Sequence, residues 1–395
     1  MSIEHSDAPH EGGTIAEVAQ VAVKLGLTAF GGPAAHIAML REEVVSRRGW
    51  MSDAYFLDLL AAANLIPGPN STEMVMHSGH YRAGWRGLVV GGALFILPAA
   101  AITLSFAWVY QRYGTTPQLE SVLYGIKPVV IAVILQAIWG LGRAVASDPP
   151  LVIVSGLALA LSLAGVNELA VLLGLGVAMM LFRGLARSER LGPLGLLPTL
   201  SGLGPHVSAY IPIVATAGEP YSPLRLFLEF LKIGGTLYGS GYVLISFIQQ
   251  DFVETLGWLT EQQLIDAVAV GQFTPGPVFT TATFVGYLVG GWSGAALATI
   301  GIFLPAFVLV GFTHPLLPRL RSSVWTKGFL DGVSAAAVGI MIAVTLVLGR
   351  AAITTPFTVA LALLAALLLI RFRVNSAWLI VGGGALGWLA RSLGA

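Results

Sequence analysis

The 395-residue chain contains no cysteine, so it forms no disulfide and offers no thiolate to a metal or a substrate. Charge is scarce too. Asp, Glu, Lys and Arg make up 10% of the residues, against about 25% in soluble domains. The net charge is +1, and no basic run suited to nucleic acid occurs. The chain lacks a Gly-x4-Gly-Lys-Ser/Thr phosphate loop, a His-Glu-x-x-His pair, a Gly-x-Ser-x-Gly elbow and an Asp-rich metal cluster. These absences weigh against an ATPase and against a membrane-embedded protease or phosphatase. No cofactor is called for. The first Lys or Arg is Lys24, so the charged start of a cleavable signal peptide is missing. Residues 1–13 read as a polar, acidic, disordered tail.

Apolar residues fill the space. They make up 56% of the chain, and mean hydropathy is +0.81. Long apolar runs recur, among them 88–110, 129–145, 295–312 and 333–348. Several approach the roughly 20 residues that span a bilayer. Trp50, Trp85, Trp108, Tyr110, Trp258, Trp292 and Trp325 stand near run ends, where interfacial anchors belong. A multi-pass protein of the cytoplasmic membrane, with lipid as its main partner, is expected.

The chain repeats itself. Lys24, Gly26, Thr28, Gly31, Trp50, Asp58, Pro67, Gly68 and Pro69 recur 208 positions later as Lys232, Gly234, Thr236, Gly239, Trp258, Asp266, Pro275, Gly276 and Pro277. Beyond Pro-Gly-Pro the offset slips by one, and Trp85, Pro98 and Gly125 match Trp292, Pro305 and Gly332. Two copies are expected, at 14–183 and 223–395, joined by a linker at 184–222.

Basic residues mark cytoplasmic loops. Arg41, Arg47, Arg48, Arg82 and Arg86 flank the first Pro-Gly-Pro unit. Between Lys232 and Arg319 there is no Lys or Arg, while Asp251, Glu254 and Glu261 lie there. Equivalent loops thus look cytoplasmic in one copy and external in the other, as in an inverted repeat. The expected fold is all-α: two inverted-topology repeats, each with about five transmembrane helices and a re-entrant helical hairpin broken at Pro-Gly-Pro. Copy one crosses at 14–33, dips at 53–84, then crosses four more times, which puts both termini outside. Full crossing by the hairpins, with twelve spans, is the alternative.

Proline removes a backbone N–H and clashes with the preceding turn, so Pro67-Gly68-Pro69 and Pro275-Gly276-Pro277 must each separate two short helices. The second half-helix then begins with unpaired N–H groups and a partial positive charge of about half an electron. Such ends are anion sites. Asn70, Ser71 and Thr72 stand there in copy one, and Phe279, Thr280, Thr281 and Thr283 in copy two. Gly31-Gly32-Pro33, with its counterpart at Gly239 and Ser240, breaks the first helix and supplies another wall.

Phe30-Gly-Gly-Pro33, Trp50-Met51, Asn64-Leu-Ile-Pro-Gly-Pro69, Gly79-His-Tyr-Arg-Ala-Gly-Trp-Arg-Gly87, Leu97-Pro98 and Gly125-Ile-Lys-Pro128 together resemble the chromate ion transporter family in its two-domain form. Gln272-Phe-Thr-Pro-Gly-Pro277 and Leu304-Pro305 repeat the pattern. The resemblance implies efflux of chromate from the cytoplasm, with sulfate as a structural analogue. Tyr238-Gly-Ser-Gly241 departs from Phe-Gly-Gly-Pro, so the two walls are not equivalent. A sulfate or other oxyanion carrier is the alternative of the same class; an anion channel or a membrane-embedded enzyme belongs to a different one. The sequence leaves a homodimer open without a motif for it.

Ionisable groups within spans are functional candidates. Lys24 and Lys232 could clamp a dianion from both copies. Asp58 and Asp266 could neutralise those lysines or carry protons. Lys127 has no charged mate, and Asp331 lies near the corresponding place. Glu73, His77 and His80 share one helical face. That face suits a proton relay through Glu73 and His77 better than a metal, since no further ligand is evident. His36 and Arg41 are placed at a cytoplasmic mouth, and Arg47 and Arg48 on a solvated loop.

Overall fold

The structure is a computed structural model that describes residues 13–64, 66–114, 116–188, 220–238, 241, 243–313 and 324–393. Residues 1–12 of the expected tail and most of the expected linker lie outside these residues, as do Gly239 and Ser240. All described regular elements are helical. The first copy comprises α1 (Ile15–Thr28), α2 (Gly32–Arg41) with a π-helical turn at Glu42–Arg47, α3 (Asp53–Ala63), α4 (Asn70–Tyr113), α5 (Pro117–Ala146), α6 (Pro149–Leu163) and α7 (Glu168–Ser188). The second comprises α8 (Pro223–Thr236), α9 (Val243–Ile248) with a π-helical turn at Gln249–Thr255, and α10 (Glu261–Phe273). A single 3-10 turn, Val278–Thr280, then leads into α11 (Thr281–Thr313), α12 (Val324–Ala352), α13 (Pro356–Phe372) and α14 (Ser376–Ser392).

The duplication extends to the caps. Thr14 accepts a hydrogen bond from the Glu17 amide, and Ser222, 208 positions on, accepts one from the Arg225 amide. Proline opens α5, α6, α8 and α13, where its missing N–H costs nothing.

α4 and α11 are each two arms. Ala83 and Gly84 leave helical geometry (φ −144° and +60°), and Gly290 and Gly291 repeat the turn (φ −135° and +61°). Glycine is required at the second position because L side chains rarely adopt that φ. The arms fold back tightly. A Cβ on Gly79 would meet the Gly87 carbonyl at 2.4 Å, and one on Gly286 would meet that of Gly294 at 2.4 Å. Small residues allow such backbone approach.

The first segment departs from expectation. α1 does not run through as a crossing at 14–33. Gly31 and Gly32 both take positive φ (103° and 79°) and reverse the chain. α2 then returns beside α1, so that Lys24 pairs with Glu43. Both limbs end where α4 turns: Arg82 bonds Glu17 at 2.9 Å, and the guanidinium groups of Arg48 and Arg82 lie 6.0 and 5.7 Å from the Trp50 ring centre. The Phe-Gly-Gly-Pro motif is thus a turn as well as a break. Each copy opens with two short helical pairs that turn back on themselves, followed by four further helical segments. The start of α1 lies beside the turn of α4, where Arg82 meets Glu17, and the chain termini lie outside the described residues. α14 ends beside the start of α5, with Gly387 against Ser121 and Gly125.

Equivalent arms run antiparallel. Trp85 packs on Gly311, and Gly92 on Phe307. The copies also exchange partners: α5 packs on α13 and α14, and α12 on α6 and α7. α12 is the most enclosed of the long apolar helices, at 72% buried. Among the described residues, five helices are long and apolar enough to cross a membrane: the stretches 70–113, 117–146, 168–186, 278–312 and 325–352. Two shorter apolar helices, Pro149–Leu163 and Pro356–Phe372, accompany them.

Candidate functional site

Each Pro-Gly-Pro meets the broken first helix of the other copy. The Gly68 N–H donates to the Leu237 carbonyl at 2.8 Å, and the Gly276 N–H donates to the Ala29 carbonyl at 2.9 Å. The two bonds are repeat mates: donors and acceptors are each 208 positions apart. Ala29 and Leu237 cap the C-termini of α1 and α8. A helix end leaves carbonyls without partners, and a proline break leaves an amide without one. In an apolar interior both would be costly. Here each defect satisfies the other across the repeat boundary. Gly68 and Gly276 hold φ of +144° and +86° to do so.

The half-helix N-termini lie directly after these junctions. In copy one, Ser71, Thr72 and Glu73 are buried, and the Asn70 amide donates to Asn64 at 2.6 Å. His36 Nδ1 lies 3.3 Å from Ser71 Oγ. His36 is therefore not a mouth residue; it is buried against Ser71 and Phe95. In copy two, Thr280 and Thr281 donate to the carbonyls of Pro277 and Val278, both at 2.8 Å. Thr103 donates to Thr280 across the copies at 3.2 Å, and Thr283 bonds Thr299 at 2.7 Å. The hydroxyls of Ser71, Thr280, Thr281 and Thr283 thus already have partners, whereas the buried Thr72 Oγ1 has none among the described residues.

Glu73 stands apart. It is fully buried, and both its carboxylate oxygens lack a hydrogen-bond partner among the described residues. Its Oε1 sits where a Cβ on Gly68 would go, at 2.2 Å. Copy two has threonines, Thr280 and Thr281, in the matching stretch. Tyr238 lies within electrostatic reach of Glu73. His77 is buried one turn further along. No group of three metal-ligating side chains occurs among the described residues.

The lysines take other partners than Asp58 and Asp266. Lys24 pairs with Glu43, while Lys232 pairs with Glu229 and, at 2.9 Å, with Asp251. Glu43 and Asp251 are repeat mates that the sequence reading passed over; their offset of 208 was the available signal. Glu43 is also met by Arg47 at 3.1 Å and Arg48 at 3.5 Å, so these arginines are not simply solvated. Arg41 meets Asp53 at 2.5 Å. Asp58 is exposed on α3, whereas Asp266 is buried on α10. Lys127 Nζ lies 3.5 Å from Asp266, which also accepts from Tyr110 at 2.8 Å. Asp331 joins Asp148 around Arg183. Asn375, also unforeseen, lies 3.6 Å from where a Gly31 Cβ would be; its mate is Asn167.

A cavity of about 900 Å³ opens between α4, α5, α10 and α14, lined by Phe106, Tyr110, Phe273 and Trp388 among others. Its apolar walls do not suit a dianion, and it is not the Pro-Gly-Pro site.

The family described as Chromate transporter matches residues 16–180 and 224–388. The chain is 31% identical over 381 residues to a chromate transport protein of Cupriavidus metallidurans, covering 94% of this chain and 92% of the relative. A chromate transport protein of Pseudomonas aeruginosa is 32% identical over 384 residues, covering 93% and 90%. A probable chromate transport protein of Synechococcus elongatus is 29% identical, covering 86% of each. No solved structure matches the chain.

Proposed function

The chain belongs to the chromate transporter family, and from that premise we propose that it exports chromate across the cytoplasmic membrane as a secondary active carrier. It is a multi-pass membrane transporter and not an enzyme.

The observation that carries the proposal is the reciprocal junction at Gly68 and Gly276. It ties both broken segments to one core, so that the half-helix N-termini from Asn70 and Val278 can serve a single anion. Gly31 and Gly32 would add to the wall. Asn70, Ser71, Thr72, Thr280 and Thr281 would bind the oxyanion through amides, and through hydroxyls after a turn about χ1. Lys24 and Lys232 would lend charge when released from their carboxylates.

The repeats are read as inverted, with re-entrant hairpins. The antiparallel contact of Trp85 with Gly311 supports this, as does the placing of Gly184 on Trp325 but Tyr221 on Gly290, at the other end. Arg47, Arg48, Arg82 and Arg183 gather at the Trp85 end, which makes that end cytoplasmic. An interior-negative membrane favours anion exit by about 2.3 kcal/mol per charge per 100 mV, and roughly twice that for a dianion. Export therefore needs no ATPase.

Exchange against protons, an antiport, would run through Glu73 and His77, with Lys127, Asp58 and Asp266 as ion-pair or proton sites. An ionised, unpaired carboxylate at the Glu73 position costs several kcal/mol. Glu73→Gln should therefore remove the pH dependence of flux. A variant with unchanged pH dependence takes Glu73 out of the coupling.

The direct test is uptake of labelled chromate into inverted vesicles, competed with sulfate, with and without a pH gradient. Saturable uptake is expected. Flux linear in chromate would indicate a channel, and stronger saturation by sulfate would indicate a sulfate carrier.

A further inference from the structure

We propose that the two mouths of this carrier bear opposite charge, and that this makes it kinetically one-sided for oxyanions. The inference rests on the transport reading above.

Both mouths share one scaffold: a lysine on the first helix of the copy, paired to a carboxylate on the π-helical turn, Lys24–Glu43 at one end and Lys232–Asp251 at the other. What surrounds the pair changes sign. At the first mouth Arg47 and Arg48 both reach Glu43, and Arg47 also reaches Glu42 at 3.2 Å. The equivalent positions at the second mouth are Thr255, Leu256 and Gln250, all uncharged. There, Glu229 joins Lys232, with Arg225 on Glu229 at 3.1 Å. Glu254 takes a hydrogen bond from Gln249 at 3.2 Å, and Glu168 lies within electrostatic reach of Asp251 and Glu254. Glu168 is 3% exposed, with one carboxylate oxygen unpartnered among the described residues. The repeat mates of Glu229, Glu254 and Glu168, at the first mouth, are Val21, Ser46 and Ser376. Among the described residues, Lys24, Arg47 and Arg48 face the two carboxylates Glu42 and Glu43, whereas Lys232 and Arg225 face the three carboxylates Glu229, Asp251 and Glu254, with the buried Glu168 beside them.

A cleft of one sign concentrates ions of the other and raises their on-rate by about 10- to 10³-fold. The first mouth attracts a dianion and the second repels it. These charges do not move the equilibrium of transport, since the equilibrium depends only on the gradients. They set KM and kcat together on each face. A dianion binds tightly from the first mouth and leaves readily through the second, where recapture is weak.

The test is KM for labelled chromate, and for sulfate, from each face: inverted vesicles against right-side-out vesicles, at low and high ionic strength. KM should be about 3- to 10-fold lower on the face bearing Trp85 at low salt, the lower part of the steering range. The difference should shrink at high salt, where exposed charges are screened. Glu168→Gln with Glu254→Gln should lower KM on the opposite face only. Arg47→Gln with Arg48→Gln should raise it on the Trp85 face only, which covers a folding failure of the first variant. Equal KM values on the two faces, a reversed order, or variants that move both faces alike would overturn the inference and leave the transport reading standing. Absence of saturable chromate or sulfate flux from either face would overturn both.

Discussion

Gly276→Val is expected to abolish transport and to lower stability by about 2–5 kcal/mol. Two costs combine. The residue holds φ of +86°, and a side chain in left-handed geometry costs about 1–2 kcal/mol. Its Cβ would also stand 2.7 Å from Ala99 Cβ and 3.3 Å from the Gly26 carbonyl, and overpacking a filled core costs about 1–3 kcal/mol. Relief of the clash would pull the Pro-Gly-Pro away from Ala29 and break the junction. Gly291→Val separates the two causes. Its φ is +61°, yet nothing lies within 4 Å of its Cβ, so only the backbone cost applies. Melting temperature in detergent and chromate flux report on both variants. Equal effects at the two positions would mean that the crossed junction does not carry the structure.

Lys232→Gln is expected to harm the protein more than Lys24→Gln. Removing one partner of a buried ion pair typically costs about 3–5 kcal/mol, because the other charge is left uncompensated. The Asp251 side chain is 9% exposed and that of Glu229 13%, while the Lys232 side chain itself is 35% exposed, so about 1–3 kcal/mol is the reasonable range at this half-open site. Glu43 keeps Arg47 and Arg48 when Lys24 is lost. Adding Asp251→Asn to Lys232→Gln should recover part of the lost stability. Recovery of stability without recovery of flux would separate a role in the anion path from a role in packing. If Lys24→Gln were the more damaging change, the ranking drawn from these pairs would be wrong.

Much of the architecture was legible because it rests on residues that punctuate a chain. Pro-Gly-Pro must break a helix wherever it lies, and its recurrence at an offset of 208 announces the repeat. The reversal at Gly31–Gly32 was harder to see. A glycine pair in an apolar helix reads equally well as a kink, and only the return of Glu43 to Lys24 distinguishes a hairpin. That one difference makes the first segment of each copy a helical pair and not one continuous helix. The carboxylate partners escaped for a related reason. Asp58 and Asp266 are identical mates, so they drew attention, whereas Glu43 and Asp251 are mates in charge but not in residue type. The crossed amide-to-carbonyl bonds belong to the backbone, and no side-chain pattern records them. The charge difference between equivalent loops was legible in the sequence, but which of those charges face each lysine was not.

The most direct measurement uses the natural absence of cysteine. Trp85 and Trp292 are repeat mates, 59% and 65% exposed, each beside the turn between two helical arms. Trp85→Cys and Trp292→Cys, made separately, give single thiols for a membrane-impermeant maleimide in sealed vesicles of known orientation. The antiparallel arrangement predicts labelling of the two positions from opposite faces, with Trp85→Cys reached from the cytoplasmic side. Labelling of both from the same face would contradict it.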